Sequence, residues 1–168
     1  MNMELKKVES VKDAELQIMF PMVEEAFALT MVGAPEEVKD FPLPKGEDLI
    51  TGLQNGMDLW KIYDGNELVG GAMIDLKGDH TGYLELFFIA GNIEGKGIGR
   101  KAWQAIEKAY PDIKIWETIT PCFQKRNIYF YVNKCGFHIV EYHNKWNPIV
   151  ENGEALDDEM FSFRKEII

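Results

Sequence analysis

A chain of 168 residues has the length of one ordinary domain and can bury a sizeable core. With 46% apolar and 12% aromatic residues it is neither a disordered nor a collagen-like polymer. Its 28 acidic against 18 basic residues, a formal charge of -10, set most of the surface against nucleic acid and anionic lipid. Apolar runs such as Leu86 to Ala90 are far too short for a bilayer span, and the charged start Met1 to Ser10 does not read as a signal peptide. Cys122 and Cys135 have no His or Cys at ligand spacing, so neither a disulfide framework nor a zinc site is expected. The expectation is a cytoplasmic protein that neither enters nor crosses a membrane.

In chain order, Met3 to Val8 is predicted as a strand. Leu16, Met19, Val23 and Phe27 recur at helical spacing, which predicts a helix from Val11 to Phe27 that Pro21 should kink or divide. Ala28 to Gly46, with Pro35, Pro42 and Pro44, reads as a long loop or short helical turns of the kind that often serves function. A short helix over Glu47 to Gln54 precedes Asp58 to Tyr63, the turn Asp64-Gly65-Asn66, and Glu67 to Leu76, a hairpin pattern. A turn at Gly78 to Gly82 leads to a third strand, Tyr83 to Ile89, to complete an antiparallel meander. Gly97 to Tyr110 is an amphipathic helix stopped by Pro111, with Ile98, Ala102, Trp103 and Ile106 as its apolar stripe. Ile113 to Ile119 is a strand and Phe123 to Lys134 a helix with Gly136 as its C-cap. Strands at Phe137 to Tyr142 and Met160 to Lys165 finish the chain.

The run Glu94-Gly95-Lys96-Gly97-Ile98-Gly99-Arg100 carries the functional signal. Alternate glycines let a backbone approach a ligand closely, and the helix that follows offers unpaired N–H groups and a partial positive charge, so a diphosphate suits the loop, with Lys96 and Arg100 as charged donors. A Walker A loop does not fit, because the spacing is wrong and Gly97, not Ser or Thr, follows Lys96. Gly97 to Ala102 matches the dinucleotide pattern G-x-G-x-x-A, with Glu117 at the distance of its acidic residue. Against that reading, Ala90 to Lys96 separate the strand end from Gly97, too little chain follows Glu117 for a doubly wound sheet, and the preceding elements are hairpins.

The segment LELFFIAGNIEGKGIGRKAW resembles motif A of the GNAT N-acetyltransferase superfamily, whose loop reads Gln/Arg-x-x-Gly-x-Gly/Ala. Glu94, Gly97 and Gly99 occupy those places. Downstream, FYVNKCGF, Phe130 to Phe137, looks like the family's second landmark, a helix that commonly ends in Tyr-x-x-x-Gly-Phe. The close resemblance covers Tyr83 to Asn144, while Met1 to Asn55 matches in outline. Three positions depart from the family's pattern. Glu94 stands for Gln or Arg, unfavourable beside a pyrophosphate unless it faces solvent or pairs with Lys96 or Arg100. Tyr131 lies one residue further from Gly136 than usual, and one residue turns a helix by about 100°. Gln124 stands where Asn is common, with Asn127 as a substitute; Gln124, Asn127 and Tyr131 share one helical face.

The resemblance implies an α/β protein of the α+β type, one domain over 1–168 with the acyl-CoA N-acyltransferase fold, a mixed but mostly antiparallel sheet flanked by helices. It implies acetyl-CoA as co-substrate, no metal, and direct transfer to a primary amine of a small molecule, polyamine or peptide. Phe88, Ile89 and Ala90 would lie beside the pantetheine arm where the strand bulges and splays from the next, with a backbone N–H near Ile89 opposite the thioester oxygen. Tyr131 is the candidate general acid. Glu85 is the candidate base, on the face of Ile89 by period-two alternation. Lys125 and Arg126 are weaker candidates for coenzyme phosphates, and Trp116 and Glu117 are candidate acceptor contacts. The alternative is a non-catalytic acyl-CoA sensor or interaction module of the same fold. The oligomeric state stays open, a homodimer included.

Overall fold

The computed structural model describes residues 2–93 and 95–168. Strands β1 (Met3–Lys7), β2 (Asp58–Asp64), β3 (Glu67–Gly78), β4 (Thr81–Ile89), β5 (Ile115–Pro121), β6 (His138–His143) and β9 (Met160–Glu166) form one seven-stranded sheet. Their order is β1-β2-β3-β4-β5-β9-β6, antiparallel except where β4 meets β5. A small hairpin, β7 (Val150–Glu151) and β8 (Glu154–Ala155), stands apart from it. The fold is the mixed, mostly antiparallel sheet with flanking helices that the resemblance implied.

Helices α1 (Leu16–Ala28) and α2 (Gly46–Gln54) cover one face. There Leu16, Met19, Val23 and Leu49 bury against Leu59, Met73 and Phe88. Helix α3 (Ile98–Ala109), helix α4 (Lys125–Tyr129) and the π-helical turn Phe130–Cys135 that continues α4 cover the other. Ile98, Trp103, Ile106 and Tyr131 pack there on Ile62, Leu84, Trp116 and Phe163. Burial of these apolar faces from water is what holds the helices to the sheet.

Two helices differ from expectation. Helix α1 starts at Leu16, not Val11, because the preceding residues are drawn into an ion cluster. Lys61 Nζ donates to Asp13 Oδ2 at 2.8 Å and Glu15 Oε1 at 2.9 Å, and Tyr63 donates to Glu15 Oε2 at 2.5 Å. The helix also runs through Pro21, since the fully buried Leu16, Met19 and Val23 outweigh one missing N–H. The helix expected unbroken over Phe123 to Lys134 starts at Lys125 and gives way to the π turn at Phe130. The loop after α1 holds two 3₁₀ turns, Leu29–Met31 and Glu36–Val38, the short helical turns expected there. Among the described residues, no helix is long and apolar enough to cross a membrane, and no group of three potential metal ligands occurs.

Candidate functional site

The site is a fork in the sheet. Parallel pairing of β4 and β5 covers only Thr81↔Ile115, Gly82↔Trp116 and Tyr83↔Glu117. Beyond that point the strands part, and the Thr118 hydroxyl donates to the Leu84 carbonyl at 2.9 Å. A β-bulge sits at the same place: Met73 faces Leu86 and Ile74 faces Leu84, so Glu85 has no partner on β3. A cavity of about 170 Å³ fills the fork, walled by Glu85, Leu86 and Phe87 of β4, Thr118 to Pro121 of β5, and Gln124, Asn127 and Tyr131. A second cavity of about 520 Å³ adjoins it behind Pro42-Leu43-Pro44, sharing Glu85 and Leu86 and adding Asp48 and Glu151.

Glu85 is open to these cavities, yet their walls strip part of its hydration and hold its pKa above the usual carboxylate range. Burial is the largest cause; the Lys77 charge opposes it, and Asp75, Glu151 and Asp48 add repulsion. The bulge corrects the expected alternation: Glu85 faces the α2 side, whereas Phe87 and Ile89 pack on the α3 side. Tyr131 enters the fork from the α3 side, packed on Phe130, Phe137 and Phe163, and burial pushes its hydroxyl pKa up. Its one-residue offset from Gly136 coincides with the π turn, whose wider ring accommodates one extra residue. The N–H groups of Gly136 and Phe137 both donate to the Tyr131 carbonyl, the latter at 2.9 Å, and Gly136 takes the left-handed conformation, φ 85°.

The glycine turn meets the fork at the start of α3. Gly97 is the N-cap with φ 75°, a left-handed conformation that favours glycine, and it has open space where a Cβ would lie. Lys101 N–H donates to the Gly97 carbonyl at 3.2 Å, so the N–H groups before it at this helix end have no intrahelical partner. Gly95, Lys96 and Arg100 are exposed there. Ala90 N–H donates to Val69 at 2.8 Å, and alternation therefore aims the N–H of Ile89 into the fork.

A family model described as the Acetyltransferase (GNAT) family matches residues 23–137. The chain belongs to the GNAT acetyltransferase family. Protein YrkN of Bacillus subtilis (strain 168), itself uncharacterised, is 37% identical over 155 residues, 90% of this chain and 84% of that protein. A Bacillus subtilis acetyltransferase solved in complex with CoA has a TM-score of 0.64 at 19% identity, covering 99% of this chain and 100% of that one. A GNAT family acetyltransferase from Elizabethkingia anophelis with acetyl-CoA bound has 0.64 at 20%, covering 99% of each. The ribosomal-protein-S18-alanine N-acetyltransferase of Escherichia coli has 0.71 at 9%, covering 99% and 94%. These structures share the fold.

Within this GNAT domain, several candidates sit differently from their sequence assignment. Trp116 reaches neither cavity: it is 0% exposed, edge-on to Trp103 at 5.1 Å and Tyr110 at 5.7 Å, because its side of β5 is covered by α3. Glu117 lies opposite Tyr83 and Arg164, where the strands are still paired, and walls neither cavity. The Phe88 side chain points away from the fork, into the α1 cluster beside Met19 and Gly71. Ile98 anchors α3 in the core, so only its backbone can serve the turn. Gly99 lets Phe130 approach, since a Cβ there would come within 3.0 Å of that ring. Gln124 donates to Thr30 Oγ1 at 3.0 Å and accepts from Asn127 at 2.9 Å, tying α4 to the loop after α1. Glu94 lies outside the described residues. The sequence reading missed Thr118, Asp48 and Glu151. Thr118 and Thr120 alternate with half-buried residues along β5, a polar stripe in a buried strand that could have marked the fork.

Proposed function

We propose that this GNAT domain is a cytoplasmic N-acetyltransferase that moves an acetyl group directly from acetyl-CoA to a primary amine. The observation that carries the reading is the fork, where Tyr131 and Glu85 wall one cavity beside the glycine turn that opens α3. The CoA and acetyl-CoA held by the similar structures support the donor. In this reading 1–168 act as one domain, with β1 and β9 from opposite ends of the chain in the same sheet.

The residues fit that co-substrate. The N–H groups at the start of α3, which have no intrahelical partner, hold the diphosphate with Lys96 and Arg100. Ile89 N–H faces the thioester oxygen and stabilises the charge that gathers on it. Glu85, with its raised pKa, takes a proton from the attacking amine as the C–N bond forms. Tyr131 gives its proton to the sulfur as the C–S bond breaks. A covalent acetyl-enzyme is not required: burial pushes the Cys122 thiol up to about 11 and the Cys135 thiol up to about 12, leaving little thiolate at neutral pH. The acceptor would enter past Pro42 to Pro44, on the side of Asp48 and Glu151.

The test follows thiol release from acetyl-CoA against a panel of alkyl monoamines, diamines, arylamines and peptide N-termini, with product mass confirming the amide. Turnover with one class is expected. CoA binding without turnover of any amine replaces this reading with a non-catalytic acyl-CoA sensor.

A further inference from the structure

The loop between α1 and α2 walls both cavities through Pro42, Leu43 and Pro44, and Phe41 joins the wall of the smaller one. Two consecutive residues ahead of α4 meet that loop from across the fork. The Phe123 ring stands edge-on to Phe41 at 5.4 Å. Gln124, 5% exposed, donates from Nε2 to Thr30 Oγ1 at 3.0 Å. Thr30 commits its one hydroxyl proton to the Phe27 carbonyl at 2.6 Å, so toward Gln124 it can only accept. That fixes the way the Gln124 amide points. Its Nε2 faces the loop, and its Oε1 faces Asn127, which donates to it at 2.9 Å.

We infer that Phe123 and Gln124 form a clamp that positions the loop after α1 as the wall of the amine's binding space, which makes Gln124 a positioning residue for the acceptor. The effect on amines rests on the N-acetyltransferase reading, whereas the clamp rests on its hydrogen bonds and ring contact. Lifting the loop would strip a buried amide N–H of its partner and open the aromatic pair, so the closed wall is favoured. The turn at Phe41 to Pro44 is then held opposite Glu85, and an amine approaching Glu85 is enclosed by it. The glycine turn at the start of α3 contributes no residue to the clamp, so the grip on the coenzyme diphosphate does not depend on it.

The test cuts the loop end of the clamp with Thr30→Val, which leaves Gln124 and Asn127 in place, and uses whichever amine of the panel turns over. Thr30→Val should raise KM for that amine about fivefold, the worth of one hydrogen bond, while KM for acetyl-CoA stays within about twofold. Thr30→Ser should keep both parent values. Gln124→Met should raise the amine KM at least as far, and Thr30→Val should add nothing in that background. An unchanged amine KM in Thr30→Val, an equal rise in both KM values, the same loss in Thr30→Ser, or additive losses in the double variant overturns the inference. Thr30→Ala and Gln124→Leu replace these variants if they do not fold. Hydrogen exchange read by mass spectrometry needs no turnover. Amides over 29–44 should exchange faster in Thr30→Val and in Phe123→Leu, with β2 and β3 at parent rates, and exchange over 29–44 equal to the parent overturns the clamp. If no amine turns over, the transferase reading has failed instead, and exchange alone decides the clamp.

Discussion

A buried tyrosine that donates a proton must stay protonated until a stronger base arrives, and the aromatic packing around Tyr131 favours its neutral form. Tyr131→Phe should therefore lower kcat about 100-fold while KM for acetyl-CoA changes little, as measured by thiol release over a range of donor concentrations. Glu85 is the complementary case. Its raised pKa means that the base form appears only as pH climbs through that raised value, so kcat should show an ascending limb there. Glu85→Gln should abolish the limb in a pH profile of kcat. The sign for stability is opposite: a carboxyl with a raised folded pKa favours folding below its unfolded pKa, and this is lost as pH rises. Glu85→Gln should thus not lower the thermal midpoint at neutral pH. Glu85 stood out in the sequence as a carboxylate in an apolar strand, but its face did not, because the bulge that reverses the alternation depends on pairing with β3.

At the scale of elements, the tyrosine landmark and the helix that carries it disagree by one residue, and the π turn over Phe130–Cys135 takes up the difference. The exposed Asn133 lies inside that turn. Deleting it restores the family's ordinary spacing between Tyr131 and Gly136, so a regular helical turn should form and activity should remain within about threefold, with an unchanged or higher thermal midpoint. Circular dichroism and thiol release check both. The glycine loop reads as a cradle from its alternation alone, and Gly97 takes the left-handed conformation that favours glycine. The length of α1 was not legible, since apolar spacing continued through Val11 while tertiary charge pairing took Asp13 and Glu15 out of the helix.

For the whole molecule, the cluster of Lys61, Asp13, Glu15 and Tyr63 fastens the approach to α1 onto β2. The Lys61 hydrogen bond lowers the Asp13 pKa, and the Tyr63 and Lys61 hydrogen bonds lower that of Glu15. Their contribution to folding is therefore present above the ordinary carboxylate range and lost as pH falls through the lowered values. Lys61→Met leaves the two carboxylates uncompensated and should cost about 2 kcal/mol at pH 7, less than a fully buried pair because Glu15 is partly solvated. A thermal midpoint about 4–8 °C lower is expected at pH 7, with the gap closing in acid.

The sequence by itself determined the chain order of the helices and of the main sheet's strands, the family, and the glycine turn, because those depend on local periodicity, backbone conformation and the spacing of a few residues. Tertiary structure alone decided which side chains share the fork. Trp116, Phe88 and Glu117 were turned away from it by the sheet's pairing and the helices over its faces, and Thr118, Asp48 and Glu151 were brought to the cavities from distant parts of the chain. The physical reason is that a strand's alternation holds only until a bulge, and a parallel pair that parts after three residues opens a site no single segment encodes.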